Sequence, residues 1–148
     1  MIRTFISLTL IFCALSAFGY PAKVVSIIDG DTVHVLANNQ DIKVRLFGID
    51  APERKQPYSA QSKAALAEKI LGQTVEVTTH GTDRYRRTIA DLYIGKRCIN
   101  EEMVSEGWAW DFKRYSNGRF AGAEQKARKE KAGLWADPAP VAPWEFRK

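Results

Sequence analysis

The sequence has few cysteines and few histidines, two of each among 148 residues. Cys13 lies in an apolar N-terminal stretch, so Cys98 is the only cysteine left if that stretch is removed. A single cysteine cannot form an internal disulfide, and such a domain must be held by its core, a ligand or an ion. His34 and His80 are far apart and lack the neighbouring ligands of a zinc site. These absences exclude a disulfide scaffold and a histidine-based metal site.

A hydrophobic run long enough to cross a bilayer is also lacking. The apolar stretch from Thr4 to Phe18 is shorter than the roughly 20 residues that a spanning helix needs. Small residues, Ala17 and Gly19, stand near its end, as is typical of a signal-peptidase site. Residues 1–19 are therefore predicted to be a signal peptide, with an uncleaved N-terminal anchor as the open alternative. We expect an exported protein, secreted or periplasmic, that has no membrane attachment after cleavage.

Acidic residues are in the minority, with 17 Asp and Glu against 22 Lys and Arg and a net charge of +5. This excess favours a polyanionic partner, although the charge density is well below that of a histone-like protein. The length after the signal peptide suits one domain with a modest core, which we assign to residues 20–136. The Pro-rich tail, residues 137–148, is expected to lie extended.

The hydrophobic pattern of residues 20–136 predicts five strands and about three helices. Runs rich in Val and Ile, or alternating with polar residues, predict strands at 23–28, 32–36, 42–46, 75–79 and 88–94. Helical spacing predicts helices at 60–71, 100–106 and 124–132, with Ser59 and Asn100 as N-cap residues. Five strands with one helix after the third match a small closed Greek-key barrel. The predicted fold is α+β and mostly β, an oligonucleotide-binding (OB-fold) barrel.

Three carboxylates and an arginine lie in a short strand-rich stretch: Asp31, Arg45, Asp50 and Glu53. Carboxylates that are brought together without a counter-charge repel one another, so a folded chain usually gathers them around a metal ion. An arginine beside such an ion suits a phosphate. Strict alternation along a strand would place Arg45 and Asp50 on opposite faces. The chain must therefore bend near Gly48 if both are to serve one site.

The aspartates in and near these motifs also fit simpler, structural roles when each is taken alone. Asp29 most simply shapes the turn before Asp31, and Asp31 itself fits turn chemistry. Asp83 is expected to order the turn that presents Arg87 rather than to touch a substrate. The combination of residues, not any one of them, indicates a site.

Four motifs follow one another along the chain: Ile28-Asp29-Gly30-Asp31-Thr32, Val44-Arg45-Leu46 with Ile49-Asp50-Ala51-Pro52-Glu53, Thr82-Asp83-Arg84-Tyr85-Arg86-Arg87, and Gly133-Leu134-Trp135. Each motif alone is a weak signal, but their order and separations are specific. From about residue 23 to residue 135 the chain resembles the staphylococcal nuclease (thermonuclease) family.

The resemblance assigns eight positions to a catalytic site. The implied ligands of Ca²⁺ are Asp31, Asp50 and the backbone carbonyl of Ala51; the implied catalytic residues are Arg45, Glu53 and Arg87; the implied substrate-binding residues are Tyr85 and Tyr115. The two arginines would bind the scissile phosphate, Glu53 would be the general base, and the tyrosines would line the nucleotide pocket. The donor set agrees with this assignment, because carboxylate and carbonyl oxygens suit a hard cation.

The resemblance implies a calcium-dependent endonuclease that hydrolyses DNA and RNA to 3′-phosphate ends by in-line attack of water. It implies no stable protein partner, and we expect a monomer. Ala51 replaces a frequent threonine of the family, which leaves a carbonyl ligand unaffected. The loop 54–59 is shorter and less lysine-rich than in the founding member, so the preference between DNA and RNA stays open. Of the family's paired tyrosines, only Tyr115 is clear.

The main alternative is a non-catalytic OB-fold module that binds single-stranded nucleic acid. Such a module needs basic and aromatic residues but has no use for Asp31, Asp50 and Glu53, which repel phosphate without a cation. An inhibitor or partner-binding module is a third interpretation, and it leaves the carboxylates unexplained. The sequence therefore favours the nuclease.

Overall fold

The computed structural model describes residues 19–148, so the predicted signal peptide lies, except for Gly19, outside the described residues. The strands are β1 (Tyr20–Ile27), β2 (Thr32–Ala37), β3 (Gln40–Leu46), β4 (Ile49–Asp50), β5 (Thr74–Thr82), β6 (Thr88–Ile94), β7 (Arg97–Cys98) and β8 (Trp110–Asp111). The helices are α1 (Ser59–Ile70), α2 (Ile99–Ser105), α3 (Lys113–Ser116), α4 (Ala121–Glu130) and α5 (Pro143–Phe146), with a 3₁₀ turn at Gly133–Ala136.

Five of the strands close into a barrel. The sheet order is β3-β2-β1-β5-β6-β7, and β3 also pairs with β6, which joins the two sides of the sheet. This closing pair is parallel and brings Arg45 opposite Ile89, whereas the other pairs around the barrel are antiparallel. Closure leaves no long open edge, which is the usual solution for a small Greek-key barrel. The predicted OB-fold class is confirmed.

The barrel interior is filled by alternate residues of its strands. Val33 and Val35 in β2, Val44 and Leu46 in β3, and Leu92 in β6 are fully buried. Side chains in a strand alternate between the two faces, so this period of two places one face of each strand in the core. Each such aliphatic side chain contributes about 1.5–3 kcal/mol through its burial.

Both predicted N-cap residues are wrong in their role. Helix α1 begins at Ser59 itself, after Tyr58 in a left-handed conformation, and no side chain caps it. Helix α2 begins at Ile99, so Asn100 lies inside the first turn. The buried Asn100 side chain instead accepts from the N–H of Leu92 at 3.0 Å and donates to the carbonyl of Phe47 at 3.0 Å. Tertiary hydrogen bonding has replaced local capping at this position.

The prediction that the tail from Asp137 lies extended is wrong for its last residues, because the tail ends in helix α5. Gln56 Nε2 donates to the carbonyl of Val141 at 2.5 Å, and Ala142 is buried in a second apolar cluster beside the barrel. Helix α5 follows, and its Trp144 packs on the same cluster. The tail is therefore part of the folded domain. Among residues 19–148, no helix is long and apolar enough to cross a membrane.

Candidate active site

The predicted site residues come together at one cleft. The cleft has a volume of about 1470 Å³ and is lined, among others, by Asp31, Arg45, Asp50, Glu53, Tyr85, Arg87 and Tyr115. The eighth predicted residue, Ala51, is buried next to this cleft and bonds to one of its carboxylates. Residues from four separate parts of the chain thus share one surface.

The turn between β1 and β2 positions the first carboxylate. Asp29 Oδ1 accepts the backbone N–H of Asp31 at 3.0 Å, which confirms the turn role predicted for Asp29. Burial first, and then the neighbouring charge of Asp31, raises the pKa of Asp29 to about 7. The Asp31 carboxylate is itself buried, and it accepts from the Thr32 hydroxyl at 3.0 Å and the Ala51 N–H at 2.7 Å. Asp31 is therefore held in one orientation.

The chain bends between β3 and β4, as predicted. Gly48 has a φ of +71°, and a Cβ there would lie 3.0 Å from both Phe120 and Ser116, so this position favours glycine for two reasons. The short strand β4 then pairs with β8, with Asp50 opposite Trp110. This bend brings Asp50 to the same side as the Arg45 side chain.

Arg45 lies between the two buried aspartates. Its Nε is 3.2 Å from Asp31 Oδ1, and its Nη2 is 3.4 Å from Asp50 Oδ1. Its Nη1 donates to the carbonyl of Leu46 at 2.6 Å, which leaves the guanidinium plane fixed. Burial raises the pKa of Asp50 above its ordinary value, and the charge of Asp31 adds to this effect, while arginine contacts oppose it.

Glu53 stands at the cleft rim and is half-buried. Its backbone N–H donates to Gln56 Oε1 at 2.8 Å. Its carboxylate Oε1 accepts from Arg147 Nη1 at 2.6 Å, while Arg147 also contacts both carboxylate oxygens of Asp50 at 3.2 and 2.9 Å. The candidate base is therefore tied to a metal-ligand candidate by an arginine from the tail.

Arg87 is oriented by the turn that connects β5 and β6. Asp83 accepts the backbone N–H groups of Tyr85 and Arg87 at 2.9 and 3.0 Å, and also Arg87 Nε at 2.7 Å. This confirms that Asp83 orders the turn that presents Arg87. The Arg87 guanidinium lies 5.5 Å from the centre of the Tyr85 ring, which is 63% exposed. The turn thus offers a cation and an exposed aromatic ring together.

Another part of the cleft lining is aromatic. Tyr115 is 57% exposed and contacts Phe112 edge-on at 4.9 Å. The Phe112 ring in turn stacks on Trp144 of α5, with ring centres 5.2 Å apart and an angle of 1°. Tyr115 therefore packs on an aromatic base and stays largely exposed at the cleft.

The donor chemistry of the cleft fits a hard divalent cation. Among residues 19–148, no three or more His, Cys, Asp or Glu side chains lie together in a ready cation site. Two buried carboxylates, Asp31 and Asp50, instead share Arg45 as a counter-charge. Two such oxygen donors with space for water and phosphate match the ligands that Ca²⁺ and Mg²⁺ take. Ala51 contributes its N–H to Asp31, and ligation by its carbonyl stays a prediction.

Trp144 and Arg147 are among the cleft residues that the sequence interpretation missed. Both belong to the segment Pro143-Trp144-Glu145-Phe146-Arg147. The signal was available, because two large aromatic residues are unusual in a solvated proline-rich tail and indicate that the segment packs against the domain.

Comparison with known proteins finds a matching family and several similar proteins. The family described as staphylococcal nuclease homologue matches residues 43–137. An uncharacterized endonuclease of Haemophilus influenzae is 42% identical over 147 residues, covering 96% of this chain and 83% of the relative. A micrococcal nuclease of Shigella flexneri is 38% identical over 141 residues, covering 87% and 81%.

A more distant match has additional sequence of its own. A probable staphylococcal-like nuclease of Oryza sativa subsp. japonica is 37% identical over 147 residues, and the match spans 99% of this chain but 38% of the plant protein. Together with the family match, these similarities extend over almost all of the described residues. The chain therefore belongs to the staphylococcal nuclease family.

Proposed function

We propose that this protein is an endonuclease, a hydrolase that cuts internal phosphodiester bonds of DNA and also of RNA, and that it depends on Ca²⁺. The observation that carries the proposal is that one cleft is lined by the buried Asp31 and Asp50 and by Glu53, together with the guanidinium groups of Arg45 and Arg87. Similarity to proteins named as nucleases supports the same conclusion.

Asp31 and Asp50 would hold the cation, together with the Ala51 carbonyl. When bound, Ca²⁺ would supply positive charge that polarises the phosphoryl oxygens. Asp31 is already oriented for this role by the Thr32 hydroxyl and the Ala51 N–H. Both aspartates are buried, so little rearrangement of the carboxylates themselves is required.

Glu53 would remove the proton from the attacking water. The water oxygen would form a bond to phosphorus while one of its protons passes to the Glu53 carboxylate, and the bond from phosphorus to the 5′-oxygen would break on the opposite side. The leaving 5′-oxygen would take up a proton from solvent water, and Glu53 would return its proton to solvent. The products are a 3′-phosphate end and a 5′-hydroxyl end. The half-buried rim position of Glu53 gives it access both to water and to the cleft.

Arg45 and Arg87 would stabilise the charge that grows on the phosphoryl oxygens during attack. A guanidinium is a planar fork that can grip two oxygens, so lysine would be a poor replacement. Both groups are fixed before substrate arrives, Arg45 by Asp31 and Leu46, and Arg87 by Asp83. Such preorganised charges are effective because they need no rearrangement during the reaction.

Tyr85 and Tyr115 would bind the nucleotide in the cleft. Exposed aromatic faces stack on any base, which favours binding without strong sequence preference. Their arginine neighbours add positive charge for the backbone, with Arg84 4.8 Å from the Tyr85 ring centre and Arg114 5.7 Å from that of Tyr115. We further propose that the protein is exported and acts as a monomer.

Cleavage of single-stranded DNA, duplex DNA and RNA, measured with Ca²⁺, with Mg²⁺ and with a chelator, tests the proposal. We expect Ca²⁺-dependent cleavage that an Asp31→Ala variant loses and an Asp41→Ala variant keeps, because Asp41 is an exposed residue of β3 outside the cleft. Binding without cleavage under every condition would contradict the proposal and favour the non-catalytic module.

A further inference from the structure

Arg147 lies where positive charge is needed to neutralise the cation-binding carboxylates. Its Nη1 is 3.2 Å from Asp50 Oδ1 and 2.6 Å from Glu53 Oε1, and its Nη2 is 2.9 Å from Asp50 Oδ2. Both oxygens of Asp50 therefore already accept a charge-assisted hydrogen bond. A guanidinium is always charged in proteins, so these contacts are ion pairs as well as hydrogen bonds.

The position of Arg147 is built by packing rather than left to a free tail. The preceding Trp144 stacks on Phe112 at 5.2 Å and meets Trp110 edge-on at 5.5 Å. The backbone N–H of Phe146 donates to the carbonyl of Ala142 at 3.0 Å, which closes the short helical turn. Because this packing anchors helix α5, Arg147, the residue that follows the helix, is held beside the cleft.

We propose that Arg147 is the resident counter-ion of the cation site and that a divalent cation occupies Asp50 by displacing it. The inference rests on the proposed function, since it concerns the same two carboxylates. A guanidinium and a divalent cation on one carboxylate repel each other, and they compete for the same oxygen lone pairs. Arg45 is held by Asp31 and the carbonyl of Leu46 as well as by Asp50, and its side chain is 13% exposed. The Arg147 side chain is 41% exposed and can swing into solvent.

This arrangement gives each of the three carboxylates an arginine partner. Arg147 bridges Asp50 and Glu53, while Arg45 bridges Asp31 and Asp50. The two guanidinium groups thus form a chain of opposite charges through the site. Arg147 acts on the cation affinity and on the position of Glu53, so it is a positioning residue of this site.

Calorimetric titration of Ca²⁺ into the full chain, without nucleic acid, tests the inference. We expect Arg147→Ala to bind Ca²⁺ about tenfold more tightly than the unmodified chain, because a competing charge-assisted pair is gone. Arg147→Lys should fall between them, since it keeps the charge but loses the two-pronged contact. Asp50→Asn should abolish Ca²⁺ binding both in the unmodified chain and in combination with Arg147→Ala.

Lys148→Ala is the matched control. It removes the same charge from the adjacent position, but its ammonium contacts Glu145 rather than the cation-site carboxylates. We expect its affinity to stay within about threefold of the unmodified chain, because exposed charges are well screened. A thermal melt checks that each variant is folded.

The outcomes separate the two proposals. Ca²⁺ binding of equal or lower affinity in Arg147→Ala would overturn the competition and leave the proposed nuclease intact. An equal gain in Lys148→Ala would also overturn it, because general electrostatics would then explain the effect. Absence of Ca²⁺ binding in every variant, the unmodified chain included, would overturn both the calcium dependence and this inference.

Discussion

Arg45 is a shared counter-charge for the two buried aspartates. Asp31 and Asp50 are nearly inaccessible, at 6% and 1% exposure, and two buried carboxylates are costly without a nearby positive charge. Arg45 contacts both of them from the neighbouring strand. The same guanidinium would also bind the phosphate of the substrate. One group would therefore both stabilise the buried aspartates and take part in the reaction.

The variant Glu53→Gln tests whether Glu53 is the general base. The amide keeps the size and one acceptor of the carboxylate but cannot take a proton, so we expect turnover to fall by roughly 10²–10⁴-fold with little change in oligonucleotide affinity. Single-turnover cleavage and fluorescence anisotropy measure the two quantities. Glu68→Gln, an exposed glutamate of α1, is the control. Unchanged turnover in Glu53→Gln would remove the base assignment.

Most of the candidate site could be predicted from local sequence, because its residues lie in short motifs. Asp31, Asp50 and Glu53 fall within one stretch, and the bend at Gly48 follows from the need to bring Arg45 and Asp50 to one side. Arg147 is different, since it lies 97 residues from Asp50 along the chain. No local pattern relates residues so far apart.

At the scale of elements, Asn100 joins α2 to the barrel. Its side chain bonds to the backbone of Leu92 in β6 and of Phe47, the residue before the Gly48 bend. A third bond reaches the carbonyl of Ala90 at 3.2 Å. The helix therefore supports the chain segment that leads to Asp50.

Asn100→Leu should destabilise the fold by roughly 2–4 kcal/mol. The substitution keeps the approximate volume but leaves the buried N–H of Leu92 and the carbonyl of Phe47 without partners, at roughly 1–3 kcal/mol each. Ala90 still receives the N–H of Phe47, so its carbonyl adds little. Urea unfolding measures the loss, with the exposed Gln125→Leu as control. A loss no larger than that of the control would contradict this role.

The ion pair between β7 and α2 gives a pH-dependent prediction. Hydrogen bonds from Arg97 lower the pKa of Glu102 below its ordinary value of 4.5, and Lys69 adds to the effect. Because the folded-state pKa is lower, the stabilisation is present above the unfolded value and disappears as the pH falls through the lowered one.

Glu102→Gln should therefore cost up to about 1 kcal/mol near neutral pH. The difference from the unmodified chain should vanish at pH values well below 4.5, where the glutamate is protonated in both states. Urea unfolding across the acid range measures this, and Lys126→Ala, which removes an exposed pair in α4, is a comparison with little expected effect. A difference that persists in acid would show that the pair is not its source.

Helix ends were less predictable than the elements themselves. Ser59 and Asn100 have the chemistry of N-cap residues, but tertiary contacts decide where α1 and α2 begin. Helix α5 has four residues, which is too short to be stable alone. It forms because Trp144 packs on Phe112 and Trp110, a contact that sequence periodicity does not contain.

At the scale of the whole molecule, barrel closure gives the cleft its shape. The parallel pairing of β3 with β6 brings Arg45 beside Ile89, close to the turn that carries Arg87. The strand count predicted a closed barrel, but the register of this long-range pair is set by packing of the whole core. The net charge of +5 is also a property of the whole molecule, and it attracts a polyanion whatever the nucleotide sequence of that polyanion.

Lys113→Ala tests the contribution of cleft charge to binding. Lys113 is exposed and lines the cleft, so we expect weaker DNA binding and a slope of log affinity against log salt that is smaller by about 1. Anisotropy titrations in chelator at several salt concentrations measure this. Lys129→Ala removes the same charge from an exposed position of α4 outside the cleft. Equal changes in both variants would mean that the cleft is not the binding surface.

The most direct test uses closed circular single-stranded DNA, which has no ends and can be opened only by internal cleavage. Incubation with the full chain in Ca²⁺ should give linear DNA and then fragments with 3′-phosphate and 5′-hydroxyl ends. Asp50→Asn should leave the circle closed, because the substitution removes a carboxylate that we propose binds the cation and barely changes the size of the side chain. Circles that stay closed with the unmodified chain, or that Asp50→Asn opens equally well, would contradict the account.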